Sequence, residues 1–352
     1  MNIESMAEGS GLGARERSYS VCMTRIVNVG ADALDQSAIG EAAELLRRGG
    51  LVAFPTETVY GLGANALDAV AVGRIFAAKG RPSHNPLIVH VSDEESARAL
   101  AREWPADASG LARAFWPGPL TLVLPKRELV PDLVTASLDS VAIRVPSHPV
   151  ALALLRAAGI PLAAPSANRS TELSPTTAQH VERSLGGRLD LILDGGPTDV
   201  GIESTVVDLR GDRPTILRPG LIGARELEPL VGELGRPNEA SGDAPRPAPG
   251  MLDRHYAPRA RLVLFASADS AEIARDASRG MKVAMVVLGT PARGGVHVVR
   301  MPADSARYAS RLYAILHELD EAAYDVVYVE QVPNAAEWDG VRDRLERASR
   351  TA

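Results

Sequence analysis

Residues 54–91 concentrate side chains that suit phosphate and small polar substrates. After the apolar residues 51–54, the motif PTETVYGLG at 55–63 supplies hydroxyl and carboxylate groups at the end of a predicted strand. Strand ends are where α/β sheets commonly bind ligands. A turn that only caps a helix explains an isolated PTET equally well, so this motif is weighed together with the residues that follow it.

The glycines of this segment also match a dinucleotide-binding pattern, GxGxxA, at Gly61, Gly63 and Ala66. The loop before Gly61 is too long for the tight first turn of that motif. A single match of this kind is weak evidence, and we set it aside.

Two cations, Lys79 and Arg81, flank Gly80 at the end of a predicted helix. Cations on a constrained turn suit several phosphate oxygens at once. A helix C-terminus also attracts cations for purely structural reasons. The binding interpretation is favoured because Asn85 and His90 follow, and His90 is the only polar residue of the predicted strand at 87–91.

Other predicted strands also carry polar side chains at or near their ends. Arg144 lies within the apolar segment 140–145, and a buried charge there needs a partner. That partner is either a core carboxylate or a substrate carboxylate, and the sequence leaves both open. Ser174-Pro-Thr176 predicts a helix N-cap whose first turn also suits phosphate. The remaining candidates are Ser140, Ala164, Ser166, Ser204 and Arg218.

Several catalytic motifs are absent from the sequence: a GxxxxGK[ST] loop, a GxSxG elbow, HExxH, and a cysteine nucleophile with a partner. A site without them would act by positioning and charge neutralisation. This favours attack on a nucleotide phosphate, where orientation and cations do most of the work.

Composition limits the location and the partners. The single cysteine, Cys22, excludes an internal disulfide and a thiolate zinc framework, which fits a reducing compartment. The N-terminus does not resemble a secretory signal, and no apolar run reaches membrane-spanning length. We expect a cytoplasmic protein without a membrane partner. The net charge of -6 argues against bulk electrostatic binding of nucleic acid, so a tRNA contact is expected to be indirect, or local and weak.

Periodicity and composition divide the chain of 352 residues into four parts. Residues 1–22 are predicted to be a disordered tail, and both Met1 and Met23 remain possible translation starts. Residues 23–234 predict an α/β domain with a mixed sheet. Residues 235–258 begin with a Pro- and Gly-rich linker, and 259–352 alternate strands with helices as in a small Rossmann-like domain.

Taken together, these motifs resemble the YrdC-type threonylcarbamoyl-adenylate synthases, in the long form with an additional C-terminal domain. The resemblance covers residues 25–221 and resumes at 249–258. The matching motifs are FPTETVYGLGANA, AKGRP, NPLIVHV, FWPGPLTLVL, VAIRVPSHP, APSAN, GIESTVVDL, ILRPG and RHYAP. The linker departs from the family pattern at Leu252 and Asp253, where a Lys and a Tyr are usual.

The resemblance implies a YrdC-like mixed twisted sheet and a reaction of L-threonine, bicarbonate and ATP. The products would be threonylcarbamoyl-AMP and pyrophosphate, with Mg²⁺ accompanying the ATP and no protein side chain assigned to the metal. The adenylate would then serve a downstream tRNA-modifying transferase complex that makes threonylcarbamoyladenosine. Two alternatives are a carbamoyl-adenylate-forming maturation enzyme of the same fold and a non-enzymatic RNA-binding module.

The resemblance also assigns roles to individual residues. Lys79 and Arg81 are expected to be catalytic as well as ATP-binding. The threonine and carbamate contacts would be Thr58, His90, Arg144, the backbone of Ala164, and Ser204. The other ATP contacts would be Asn85, Ser140, Ser166, Ser174 and Arg218, with His255 or Tyr256 of the linker closing over the nucleotide.

Overall fold

The computed structural model describes residues 24–30, 34–235, 256–266, 276, 279–289 and 296–350. The predicted tail, most of the predicted linker with His255, and most of a helix expected near 270–279 lie outside these residues.

Strands and helices alternate along most of the described chain. The strands are β1 Arg25–Asn28, β2 Val52–Pro55, β3 Tyr60–Asn65, β4 Ile88–His90, β5 Leu120–Pro125, β6 Ser140–Arg144, β7 Leu162–Ala163, β8 Leu191–Asp194, β9 Thr205–Asp208, β10 Thr215–Arg218, β11 Arg261–Phe265, β12 Val283–Val287, β13 His297–Arg300 and β14 Val326–Glu330. The helices are α1 Gln36–Arg47, α2 Ala69–Lys79, α3 Glu94–Arg98, α4 Ala106–Phe115, α5 Asp132–Thr135, α6 Pro149–Ala158, α7 Ala178–Leu185, α8 Ala224–Val231, α9 Ser305–Glu321 and α10 Asp339–Ser349.

The first ten strands form one mixed sheet within the described residues, in the order β1-β8-β2-β3-β7-β4-β6-β5-β9-β10. Strands β4 and β6 are parallel neighbours, and their register places His90 beside Arg144. The predicted mixed α/β sheet is confirmed. Its register brings together two candidate residues that are more than 50 positions apart in the sequence.

The glycine-rich motif is a strand of a hairpin. β2 pairs antiparallel with β3, so PTET lies at the turn between these strands; the turn is present, but it leads into a strand and caps no helix. Gly63 has a packing reason, because a Cβ atom there would lie 2.7 Å from the ring of Phe54. Gly61 and Gly63 lie within the strand and not in the turn between β3 and α2, which agrees with setting the dinucleotide-binding pattern aside.

The last four strands form a separate parallel sheet in the order β11-β14-β12-β13. Helices α9 and α10 carry apolar faces that pack with residues of this sheet in one buried cluster. The Rossmann-like prediction for this part of the chain is confirmed. No helix among the described residues is long and apolar enough to span a membrane.

The two sheets share packing at their boundary. Val59, Leu173 and Ile202 of the larger unit belong to the same buried cluster as Tyr308, Tyr313 and other residues of the smaller unit. The smaller unit therefore packs against loop residues of the larger one, next to the connection between β2 and β3 and the start of β9.

Candidate active site

One cavity gathers most of the predicted residues. Its walls come from the hairpin after β2, the turn after α2, the ends of β4, β6 and β10, and residues around 164–166 and 203. Its lining residues are Thr56, Thr58, Val59, Gly61, Arg81, Ile88, His90, Arg144, Ala164, Pro165, Ser166, Glu203, Arg218 and Tyr256. Three guanidinium groups against one carboxylate give this lining a positive balance, which suits anionic ligands.

Arg144 has an internal counter-ion, which answers the question left open by the sequence. Its Nη2 lies 2.7 Å from Oε1 of Glu57, and both side chains are buried. Its Nη1 donates to the Thr58 hydroxyl at 3.0 Å, and Glu57 also accepts from the backbone of Ser147. Because Arg144 still lines the cavity, its charge is shared between Glu57 and any bound carboxylate.

His90 enters the cavity as a neutral ring. Burial, followed by the neighbouring Arg144 guanidinium, lowers the pKa of His90 to about 3. Among the described residues, neither ring nitrogen makes a hydrogen bond of normal geometry. A buried imidazole in this state offers one donor and one acceptor to a ligand.

Lys79 and Arg81 are separated by the end of α2. Gly80 adopts a left-handed conformation (φ 60°) that ends the helix and sends the two side chains to different partners. Arg81 lines the cavity and is held by the carbonyl oxygens of Asn85 and Pro86 at 3.1 and 2.9 Å. Lys79 instead donates to the carbonyl oxygens of Ser166 and Asn168, which fixes the loop that follows β7.

Burial lowers the pKa of both cations. The pKa of Arg81 falls to about 10, which still leaves the group protonated at neutral pH. The pKa of Lys79 falls well below its ordinary value, through burial and then the nearby charge of Arg81.

Arg218 reaches the cavity from the end of β10. Its Nε and Nη2 donate to the carbonyl oxygen of Ser204 at 3.1 and 3.0 Å, and Nη2 also reaches the Ser204 hydroxyl. That hydroxyl lies 2.8 Å from the hydroxyl of Thr121 on β5. Ser204 therefore supports Arg218 from behind and does not line the cavity itself.

The predicted residues fall into three groups. Eight line the cavity: Thr58, Arg81, His90, Arg144, Ala164, Ser166, Arg218 and Tyr256. Five do not line it: Lys79, Asn85, Ser140, Ser174 and Ser204. His255 is outside the described residues.

The residues that do not line the cavity have other partners in most cases. Ser140 begins β6, about 13 Å of strand rise from Arg144, and its hydroxyl accepts from Arg210. Ser174 donates to Glu203, and the N-cap of α7 is Thr177, so the cap predicted at 174–176 lies slightly too early. The Asn85 side-chain nitrogen is buried without a hydrogen bond among the described residues, as expected of a group that awaits a ligand.

Sequence reasoning missed Glu203 and Arg344. Glu203 lines the cavity and pairs with Arg344 of α10, with 2.7 Å between Oε2 and Nε. A signal for Arg344 was present, because it interrupts the apolar stripe formed by Val341, Leu345 and Ala348 at helical spacing. A charge on such a stripe requires a buried partner, although its identity cannot be read from a single helix.

No group of three or more His, Cys, Asp or Glu side chains able to hold a metal ion occurs among the described residues. The single carboxylate of the cavity is engaged by Arg344.

Two family models cover nearly the whole described chain. The model described as "Telomere recombination", of the Sua5, YciO and YrdC group, matches residues 44–220. The model described as "Threonylcarbamoyl-AMP synthase, C-terminal domain" matches residues 222–350. A Pyrococcus abyssi protein named threonylcarbamoyl-AMP synthase is 44% identical over 336 residues, which is 93% of this chain and 98% of that protein. The chain belongs to the threonylcarbamoyl-AMP synthase family.

Other members of the threonylcarbamoyl-AMP synthase family agree with this assignment. A Bacillus subtilis protein of that name is 42% identical, covering 88% of this chain and 92% of its own length. The crystal structure of P. abyssi Sua5 complexed with L-threonine superposes with a TM-score of 0.86 at 43% identity, over 93% of this chain and 98% of that one. The family resemblance seen in the motifs is confirmed.

Proposed function

We propose that this chain condenses L-threonine, bicarbonate and ATP into threonylcarbamoyl-AMP and pyrophosphate. The observation that carries the proposal is that a single cavity is lined by a group suited to an amino acid and by cations suited to phosphate. The first group is Thr58, His90 and Arg144, and the second is Arg81 and Arg218. The relatives named for this reaction match both parts of the chain.

The amino-acid half of the proposal depends on Arg144. The guanidinium donates to the carboxylate of threonine, while the ion pair with Glu57 holds the guanidinium in place from the other side. Thr58 and the neutral His90 offer hydrogen bonds to the hydroxyl and the carbamate. The backbone amide of Ala164 already donates to Ile88, so the Ala164 contact would use its carbonyl oxygen.

Serine is expected to compete with threonine. It lacks only one methyl group, a difference usually worth about 1 to 3 kcal/mol in an apolar pocket. Selection for threonine at this site is therefore incomplete.

The nucleotide half depends on cations. Arg81 and Arg218 contact the polyphosphate and stabilise the charge of the departing pyrophosphate. Bicarbonate and the threonine amine form a carbamate with loss of water. The carbamate is already anionic, so its oxygen attacks the α-phosphate without a strong protein base, and the bond to pyrophosphate breaks. Magnesium supplies further charge neutralisation as part of the ATP substrate. Lys79 acts by holding the 166–168 loop, and Ser166, Asn85 and Ser174 remain proposed ATP contacts.

Tyr256 and His255 belong to the proposed closing segment. Tyr256 is buried and lines the cavity, which supports this role for the linker. Ser140 stays an ATP contact by family resemblance alone, because its position at the far end of β6 does not support it.

The domain boundaries 23–234, 235–258 and 259–352, after a tail at 1–22, are part of the proposal. They are supported by the two separate sheets and by Ile222 and Leu227, which pack in the core of the larger unit, although the second family model already begins at residue 222. We further propose a cytoplasmic location and a tRNA-modifying transferase complex as consumer of the adenylate, with tRNA itself contacted indirectly or weakly.

Pyrophosphate release tests the function. The full chain with ATP and Mg²⁺ should release pyrophosphate only when both threonine and bicarbonate are added. A chain that binds ATP but releases none with both present would contradict the proposal.

A further inference from the structure

Glu203 is an unusual neighbour for a polyphosphate. Among the described residues that line the cavity it is the only carboxylate, and it is 7% exposed. An anion at this position would repel the ATP that Arg81 and Arg218 are proposed to hold. Its presence therefore calls for a neutralising group.

That group comes from the other end of the chain. Arg344 of α10 is 1% exposed, and its Nε lies 2.7 Å from Oε2 of Glu203. Its Nη1 donates to the carbonyl oxygen of Pro219, the residue directly after Arg218, and its Nη2 donates to the carbonyl oxygen of Glu203. The hydroxyls of Ser174 and Tyr313 also donate to the Glu203 carboxylate.

Close backbone contacts hold Arg344 at this position. A Cβ atom at Gly340 would lie 2.6 Å from the carbonyl oxygen of Gly220, so the first turn of α10 rests directly on the turn after β10. A Cβ atom at Gly201 would lie 2.5 Å from the carbonyl oxygen of Ala309 on α9. Gly201, close to Glu203, and Gly220, close to Arg218, thus both pack directly against helices of the smaller unit.

The charge state of Glu203 agrees with this arrangement. Burial by itself acts to raise the pKa of Glu203, but the guanidinium of Arg344 and then that of Arg218 outweigh it and lower the pKa. The ring of Tyr256 lies 5.2 Å from the Arg344 guanidinium and covers it from the cavity side. The lowered pKa favours the ionised form of Glu203, and Arg344 is a cation in direct contact with it.

We propose that Arg344 is a positioning residue of the nucleotide site, which neutralises Glu203 so that Arg81 and Arg218 face the polyphosphate. The inference rests on the proposed function, because it takes the bound anion to be ATP. It also gives the C-terminal unit a part in the reaction: without α10, the Glu203 carboxylate would lose its direct counter-ion and would compete with the polyphosphate for Arg218.

The test compares the affinity for MgATP of full-length variants by isothermal titration calorimetry. Arg344→Met removes the charge and keeps most of the volume. We expect its dissociation constant to rise by about 10-fold or more, because truncating one partner of a buried charge pair leaves the other uncompensated. In the double variant Arg344→Met/Glu203→Gln the offending charge is gone, and most of that loss should be recovered. Arg344→Lys retains the cation and should bind MgATP nearly as the unmodified chain does.

Arg183→Met is the matched control. Arg183 pairs with Glu321 across the same boundary between the two units, but both side chains are about half exposed and neither lines the cavity. This variant should bind MgATP with unchanged affinity. An equal loss in the control would overturn the inference, because any loosening of the boundary would then suffice.

Three further results separate the possible outcomes. A double variant that binds as weakly as Arg344→Met would overturn the inference, and so would a fall in melting temperature without a change in affinity. If Arg344→Met does not fold, Arg344→Lys and the double variant decide, and weak binding by both overturns the inference. An unmodified chain that binds MgATP without releasing pyrophosphate would defeat the proposed function, while the affinities would still test the role of Arg344.

Discussion

The arginines of the cavity differ in the groups that fix their guanidinium groups in place. Arg81 is fixed by carbonyl oxygens, which orient a guanidinium without cancelling its charge. Arg144 is fixed by the Glu57 carboxylate, which cancels much of its charge before any ligand arrives. A guanidinium with its full charge suits a polyphosphate. A guanidinium whose charge is partly neutralised by a carboxylate suits a single substrate carboxylate.

This difference predicts separate effects on the two substrates. Arg81→Ala should abolish the use of ATP, whereas Arg144→Ala should chiefly raise the KM for threonine, by about 30-fold or more, because a buried charge contact is lost. Steady-state pyrophosphate release, with each substrate varied in turn, measures both. Arg98→Ala, which removes an exposed pair with Glu94, serves as the control and should leave both constants unchanged. Equal losses for both ligands in both variants would contradict the division.

Glu57 should matter for stability as well as for threonine. Glu57→Gln leaves the buried Arg144 without its counter-ion, and breaking such a pair costs about 3 to 5 kcal/mol. The free energy of unfolding from urea titration measures this loss. Saturating threonine should restore part of it, because the substrate carboxylate replaces the missing charge. A loss below about 1 kcal/mol would show that Arg144 does not depend on Glu57.

At the residue scale, eight of the residues singled out in the sequence line one cavity, and their assignment to threonine or ATP stays a prediction. Arg144 was recognised because a cation in an apolar strand stands out. Lys79 was assigned the same role as Arg81, yet one left-handed residue between them, Gly80, sends the two side chains to different partners. Ser204 and Ser174 were predicted to contact substrate; in the structure they contact Arg218 and Glu203 and do not line the cavity.

At the scale of elements, helix α10 is held close to the turn after β10 by a glycine. Gly340→Ala would place a methyl group 2.6 Å from the backbone of Gly220, and backbone cannot give way as a flexible side chain can. We expect a loss of about 1 to 3 kcal/mol in the free energy of unfolding, typical of overpacking.

The comparison variant for Gly340→Ala is Gly110→Ala in α4. A Cβ atom there meets nothing within 4 Å, so alanine should stabilise this helix by about 0.5 to 1 kcal/mol. Urea titration of the two variants decides the matter. If both glycines respond alike, the contact between α10 and Gly220 is not as close as described.

Most elements could be predicted because apolar runs and helix ends are local signals. The apolar segments 51–54, 87–91 and 140–145 agree with β2, β4 and β6 within one residue at each end. The strand at 60–65 was missed because its glycines resemble a turn. Their purpose is packing against Phe54 of the neighbouring strand, a long-range fact that no local pattern contains.

At the scale of the whole molecule, histidines link stability to pH. His180 of α7 and His317 of α9 stack across the boundary between the two units with ring centroids 3.8 Å apart. Burial, then the neighbouring His317, lowers the pKa of His180 to about 3, and His90 has a pKa of about 3 as well. In the unfolded chain both groups titrate near pH 6.5.

The sign of the effect follows from proton counts. Between about pH 3 and 6.5 the unfolded chain binds more protons than the folded one, so the free energy of unfolding falls as the pH is lowered through this window. Above about pH 6.5 these two histidines no longer make the free energy of unfolding depend on pH. Urea titrations at several pH values measure the slope of the unfolding free energy against pH. The variant His180→Phe keeps a stacked ring, and its slope should correspond to about one fewer proton taken up on unfolding. An unchanged slope in this variant would contradict the buried, neutral state of His180.

The packing of the two units could not be predicted from sequence. Composition and periodicity identified two sheets, but Arg344 and Glu203 are 141 positions apart and meet only because the small unit packs against the large one. The purpose of the C-terminal unit was left open for the same reason. Its contact with the cavity depends on where α9 and α10 lie, and that is a property of the assembled fold.

The central claim is that this one cavity joins threonine, bicarbonate and ATP. The most direct measurement is mass spectrometry of the reaction mixture with carbon-13 bicarbonate as the only added carbonate. We predict an AMP-linked threonylcarbamoyl product that contains the labelled carbon and that disappears when threonine is omitted. Release of pyrophosphate with AMP alone, or a product without the label, would contradict the account.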